Sequence, residues 1–284
     1  MRIEAVNYHL WRKCNMRCAF CFAKYDSVLD ANYTRGLPFS DAELVVKLLA
    51  RFGFKKITFA GGEPTLCPWL DEIIQVASQA GMITVLVTNG SLLESRRVRA
   101  LSKSLNWLVL SIDSAETRTN LVHGRAVAGR HVISVDRLVE IADVAREVGI
   151  KLRVNSVVTR VNVSENLGQT MERIKPDRWK IMRVLPIAGE NDHIVDTLSV
   201  STESFARFVD RNSRLDFRVT VVIEGNDDML GSYVMVDPAG RFLENASGKY
   251  TASRKILDVG VELAIADMNY DVERFLARGG AYDW

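Results

Sequence analysis

Cys14-Asn15-Met16-Arg17-Cys18-Ala19-Phe20-Cys21 puts three thiols into eight consecutive residues, and the rest of the chain organises around that run. Spacing this tight suits a metal centre better than loop-closing disulfides, and it fits a reducing compartment. Three thiolates from one loop can hold three irons of a [4Fe-4S] cubane and leave the fourth iron without a protein ligand. The alternative is a structural zinc site with His9 as fourth ligand. His9 sits awkwardly on the preceding strand, and zinc motifs usually arrive as two ligand pairs. Cys67 reads as a small core residue rather than a ligand.

On either side of this loop, strand-like and helix-like segments alternate, which predicts an α/β fold of βα units. Strands are expected at Val6 to Leu10, Lys56 to Ala60, Ile83 to Thr88, Trp107 to Asp113, Lys151 to Val158 and Trp179 to Leu185. Helices are expected from Asp41 to Phe52, with Ser40 and Glu43 as a capping pair, from Trp69 to Ala80, from Val135 to Val148, and after Ser164. Six units fall short of a complete eight-fold barrel, so the expectation is a partial (βα)6 barrel over residues 1–190. Beyond Gly189 the pattern loosens into a helix from Glu203 to Arg211, short strands near Val219 and Tyr233, and a helical tail ending Arg278-Gly279-Gly280. Residues 191–284 are read as a C-terminal extension closing over the active site. The 37 basic and 35 acidic residues are spread along the chain, without the positive field of a general nucleic-acid binder. No segment approaches the roughly 20 apolar residues of a membrane span. A cytoplasmic protein is expected.

Three further motifs fall at strand ends, where barrel enzymes assemble their sites. Gly61-Gly62-Glu63-Pro64 closes the second strand, with glycines permitting close backbone approach. Thr88-Asn89-Gly90 and Ser111-Ile112-Asp113 close the next two. A cysteine triplet followed one βα unit later by a Gly-Gly-Glu-Pro turn resembles the radical S-adenosylmethionine (SAM) superfamily. That resemblance implies SAM chelating the open iron through its amino and carboxylate groups, with Glu63 placed to accept from its ammonium.

Strand alternation also describes the interior. Lys56 and Thr58 share one face, as do Ser111 and Asp113, Arg153 and Asn155, and Arg178 and Lys180, while apolar neighbours cover the other. The polar face therefore points into the barrel. Two lysines and two arginines there are costly unless anions neutralise them, and a nucleoside triphosphate would do so.

With Asn7-Tyr8-His9, Asn155-Ser156-Val157-Val158, Arg178-Trp179-Lys180, Gly189-Glu190-Asn191, Ser232-Tyr233, the run Ile256 to Glu262, Arg278-Gly279-Gly280 and Asp283-Trp284 in order, the sequence resembles the viperin family. The match runs from about Asn7 onward, without the amphipathic segment that precedes it in animal members, which implies a free-standing soluble enzyme of prokaryotic or fungal type. Such enzymes convert CTP, or UTP or GTP in some relatives, to the 3′-deoxy-3′,4′-didehydro nucleotide, an antiviral chain terminator. Hydrogen leaves ribose C4′, the 3′ hydroxyl departs as water, and an electron with a proton completes the product. The resemblance implies that Asn7, Lys56, Arg125, Arg153, Lys180 and Arg278 hold triphosphate or ribose, with Arg178 beside them from the alternation. It places Phe20, Glu63, Ser111 and Asn155 around SAM, joined by Gly61, Gly62, Thr88, Asn89 and Asp113 from the strand-end motifs, and makes Tyr233 a candidate proton donor, the alternative being a tyrosine packed at a strand start. Glu224 is a minor candidate for the same pocket. Arg278 before a glycine pair suggests a tail that closes over the substrate, and Trp284 resembles a tail that iron-sulfur delivery machinery recognises. A reductase or flavodoxin-type electron donor and a monomeric state are also expected. A radical SAM enzyme acting on a peptide or another small molecule is the competing reading, weakened because no cysteine follows Cys67.

Overall fold

A computed structural model describes residues 4–281; the Asp283-Trp284 tail motif lies outside the described residues. In chain order the elements are β1 (Ala5–Trp11), α1 (Phe39–Phe52), β2 (Lys56–Gly61), α2 (Leu70–Gln79), β3 (Ile83–Thr88), α3 (Ser95–Leu101) and β4 (Trp107–Ser111). Then come α4 (Thr117–Val122), α5 (Val135–Glu147), β5 (Lys151–Val158), α6 (Gly168–Ile174), β6 (Arg178–Arg183), α7 (Val195–Leu198) and α8 (Thr202–Asn212). The chain continues through β7 (Thr220–Glu224), α9 (Asn226–Met229), β8 (Met235–Val236), β9 (Arg241–Glu244), β10 (Thr251–Lys255), α10 (Ile256–Ala266) and α11 (Val272–Ala277).

All ten strands form one sheet in the order β10-β9-β8-β1-β2-β3-β4-β5-β6-β7. Strands β1 to β7 are parallel throughout, so their C-terminal ends share one mouth. The expected six-stranded core is present, and the segment near Val219 adds a seventh parallel strand, β7, beside β6. The strand expected near Tyr233 is β8, which pairs parallel with β1 before β9 and β10 turn antiparallel. The sheet is therefore continuous across the expected division at residue 190. In β5 and β6 every second residue is buried against the helices, with Trp179 fully enclosed and its indole donating to Ser156 Oγ at 2.9 Å.

The capping pair expected at Ser40 and Glu43 is a correction. Helix α1 starts at Phe39 with Pro38 as its N-cap, and no side chain caps it. Proline's fixed φ and missing N–H suit a helix entrance. Glu43 instead pairs with Lys47 one turn on, at 2.7 Å. Among the described residues no helix is long and apolar enough to cross a membrane.

Candidate active site

The cysteine loop leaves the C-terminal end of β1 and is seated by backbone on both sides. Gly62 N donates to Trp11 O at 2.6 Å and Glu63 N to Lys13 O at 2.9 Å. A Cβ on Gly62 would fall 2.4 Å from Arg12 O and 2.5 Å from Lys13 O, so only glycine permits this seat. Opposite, Arg17 N donates to Gly124 O and Ala19 N to His123 O, while Asn191 Nδ2 donates to Phe20 O at 2.8 Å.

Glu63 is buried and acts as a buckle. Its Oε1 accepts from Thr65 N, Thr65 Oγ1 and Thr88 Oγ1, and its Oε2 accepts from Asn89 N at 2.8 Å. Asn89 Nδ2 in turn donates to Asn15 Oδ1 at 2.9 Å, within the cysteine loop. Glu63, Thr88 and Asn89 thus lock the loop to the ends of β2 and β3. Oε2 keeps room for one more donor.

Two recesses flank this loop. The smaller is lined by Met16, Asn89, Ser111, Asp113 and Arg125 among others. Arg125 donates through Nε to Asp113 Oδ2 in a close ion pair, and its guanidinium carbon lies 5.9 Å from the Phe20 ring centroid. Asp113 Oδ1 accepts from Val157 N at 2.8 Å. The larger recess is the barrel lumen. Asn7, His9, Lys56, Thr58, Arg153, Asn155, Arg178 and Lys180 line it from the strands, and Tyr233, Phe275, Arg278, Gly279 and Gly280 from the extension. Arg125, expected to hold triphosphate or ribose, lines the smaller recess and feels the charges of Cys18 and Cys21.

Burial among cations decides the protonation of the lumen. Lys56 is buried, and desolvation with the nearby charges of Arg153, Lys180, Arg278 and Arg178 brings its pKa down to about 6. Lys180 falls only to about 8, because the Glu224 carboxylate opposes desolvation. His9 drops to about 4 through burial and stays neutral.

Glu224 is the group that sequence reading underrated. It is fully buried, and its Oε1 accepts from Lys180 Nζ at 2.5 Å and Arg278 Nη1 at 2.9 Å. Its Oε2 accepts the Tyr233 hydroxyl proton. Lys180 Nζ also donates to that hydroxyl at 3.0 Å, and the Arg278 guanidinium stacks 3.7 Å from the Tyr233 ring centroid. Against the cost of burial, Lys180 and Arg278 hold the Glu224 carboxyl down at about 2.

Residues 8–174 match the family model described as the radical SAM superfamily. An S-adenosylmethionine-dependent nucleotide dehydratase of Flammeovirga pacifica is 44% identical over 285 residues, covering 99% of this chain and 96% of that protein. The dehydratase of the same description from Lacinutrix mariniflava is also 44% identical, over all of this chain, which spans 59% of that longer protein. The chain belongs to the radical SAM superfamily, in its branch of SAM-dependent nucleotide dehydratases. Its fold is shared with Streptococcus suis SuiB bound to S-adenosylmethionine, at a TM-score of 0.70 and 19% identity, over 97% of this chain and 67% of that one. It is likewise shared with anSMEcpe with bound AdoMet, at 0.70 and 15%, over 97% and 83%.

The superfamily carries a [4Fe-4S] cluster and SAM, and the donor set fits them. Cys14, Cys18 and Cys21 are unbridged, partly accessible thiols on one loop, whereas Cys67 is buried in the core. Burial holds Cys14 up at about 11 and Cys21 at about 12, so the free thiols keep their protons until iron displaces them. The zinc alternative lapses with the family, and His9 faces the lumen instead.

Proposed function

We propose that the protein dehydrates a nucleoside triphosphate, CTP by preference and UTP or GTP as alternatives, to the 3′-deoxy-3′,4′-didehydro nucleotide. The observation that supports this most is the convergence of Lys56, Arg153, Arg178, Lys180 and Arg278 on one lumen. When bound, the cluster and SAM supply the 5′-deoxyadenosyl radical that takes hydrogen from ribose C4′. The chain's own residues hold the nucleotide for that step. Lys56, Arg153 and Arg178 lie early on their strands and take the phosphates, while Asn7 stands nearer the cysteine mouth and takes a ribose hydroxyl; Asn155, expected around SAM, lines the lumen and is assigned to ribose as well. Phe20, Gly61, Gly62, Glu63, Thr88, Asn89, Ser111 and Asp113 frame SAM. Arg125, from its place beside Ser111 and Cys18, is assigned to the SAM carboxylate rather than to phosphate.

Proton delivery to the leaving 3′ hydroxyl falls to Lys180. Its ammonium faces the lumen with a pKa near 8, close to the operating range of a general acid. Tyr233, the donor expected from sequence, has its proton committed to Glu224 and a pKa raised by burial, so it steadies Lys180. Residues 1–190 then carry the SAM site, and 191–284 complete the substrate site. A reductase or flavodoxin-type protein supplies electrons and iron-sulfur delivery machinery the cluster; a cytoplasmic monomer is proposed. Anaerobic incubation with SAM, dithionite and each nucleotide tests the reading. Release of 5′-deoxyadenosine with one nucleoside triphosphate supports it, and SAM cleavage indifferent to every nucleotide removes it.

A further inference from the structure

Strand β7 ends one side of the sheet, and Tyr233 lies two residues before β8, which lies beyond β1 on the other side. Among the described residues no backbone ladder joins β7 to β8; the backbone tie between the two sides is an isolated bridge of Ala188 with Lys249. Side chains of one cluster do. Glu224, on β7, accepts from Lys180 on β6, from Tyr233 before β8, and from Arg278 after α11.

We propose that Glu224 is a positioning residue: its carboxylate sutures the open side of the barrel and sets Lys180, Tyr233 and Arg278 as one unit facing the triphosphate. This rests on the proposed nucleotide reading and names the residue that organises it. Three features carry it. Glu224 has no exposed surface and does not line the lumen, so it acts through the groups that do. Each of its partners does line the lumen. A buried anion behind a phosphate site opposes ligand binding, so its presence needs a compensating role, which the three bonds provide.

The consequence separates binding from turnover. Glu224→Gln keeps the shape and removes the charge. Arg278 retains Ser232 O, which accepts from Nη2 at 3.1 Å, and the Tyr233 ring beneath it. CTP should therefore bind more tightly, by roughly three- to thirtyfold given one unit charge removed near the phosphates at protein-like screening. Lys180 and Tyr233 lose their fixed arrangement, so didehydro nucleotide formed per 5′-deoxyadenosine released should fall at least about fivefold. Glu224→Asp keeps the charge but shortens the reach; its CTP affinity should stay within about twofold of wild type while the product ratio falls. Calorimetry on the reconstituted holoenzyme and product quantification read both variants. CTP binding to Glu224→Gln no tighter than wild type, or an unchanged product ratio in both variants, overturns the inference. Should Glu224→Gln fail to fold, the Asp variant decides alone through its product ratio. Wild-type protein that binds no nucleoside triphosphate instead overturns the functional reading, which keeps the two failures distinct.

Discussion

Lys56 should take up a proton when a triphosphate binds. It is the first residue of β2, only 6% exposed, and desolvation and four neighbouring cations bring its pKa to about 6. At pH 7, one unit above that value, roughly nine-tenths of the side chain is neutral in the ligand-free protein. Phosphate oxygens reverse the balance of charge around it, and the ammonium form returns. Binding should therefore consume about 0.9 proton at Lys56 at pH 7 but only about 0.1 at pH 5, where the ammonium is already present. Near pH 8 the Lys180 group, itself at about 8, contributes up to roughly half a proton more.

The measurement is calorimetric titration with CTP in buffers of different ionisation enthalpy, comparing wild type with Lys56→Met so that the nucleotide's own titration cancels. A difference in slope close to one proton at pH 7 is expected. Equal slopes, or an uptake that grows as the pH falls, would refute the reasoning. The same shift has a stability consequence. Because the native pKa lies below the ordinary 10.5, the unfolded chain binds more protons between about pH 6 and 10.5. Lys56 is then neutral to stability above pH 10.5 and increasingly unfavourable as the pH falls toward 6, at up to about 1.4 kcal/mol per pH unit. Ligand-free Lys56→Met should melt several degrees higher than wild type at pH 7.

Three other substitutions probe separate parts of the site. Gly62→Ala places a methyl group 2.4 Å from Arg12 O and should lose most of the cluster's visible absorbance after reconstitution, while far-ultraviolet circular dichroism stays near that of wild type. Arg125→Gln breaks the ion pair with Asp113 and should weaken SAM binding about tenfold with CTP affinity within twofold; the reverse pattern would return Arg125 to the phosphates. Trp179→Phe removes the indole hydrogen bond to Ser156 inside the core and should cost about 1–2 kcal/mol in urea denaturation, without altering SAM affinity.

The parallel core was legible because its strands are periodic. The limits Ile83–Thr88 and Lys151–Val158 coincide with β3 and β5, and the alternation that put Lys56, Arg153, Arg178 and Lys180 on one face is the lumen wall. What the pattern left out came from a neighbouring residue at α1 and from distant partners elsewhere. The start of α1 is fixed by Pro38 rather than by the Ser40 and Glu43 pattern. The short strand expected near Tyr233 is β8, two residues long; what no local propensity encodes is its place between β1 and β9. Arg125 follows a turn that returns to the cysteine loop, so its sequence position gives no hint of its pairing with Asp113. Glu224 closes a five-residue strand whose pattern is only weakly amphipathic, and its importance arises from three partners supplied by three other segments.

Strand direction accounts for the arrangement of the chemistry. The cysteine loop, the Gly61-Gly62 turn and Asn89 all follow the C-terminal ends of adjacent parallel strands, so they must meet at one mouth. The cations lie earlier on the same or neighbouring strands: Lys56 begins β2, Arg153 is the third residue of β5, and Arg178 begins β6. At about 3.3 Å per residue, the five steps from Lys56 to Gly61 span roughly 17 Å, a distance fixed by backbone rather than by side-chain choice. In the proposed reading a nucleotide anchored by its phosphates among those cations extends its sugar toward the cysteine mouth, and Asn7 and Asn155 line the same lumen. Register therefore does the positioning: Asn155 pairs with Lys180 across β5 and β6, and Arg153 with Arg178 one layer below, so the two pairs occupy separate tiers of the same lumen.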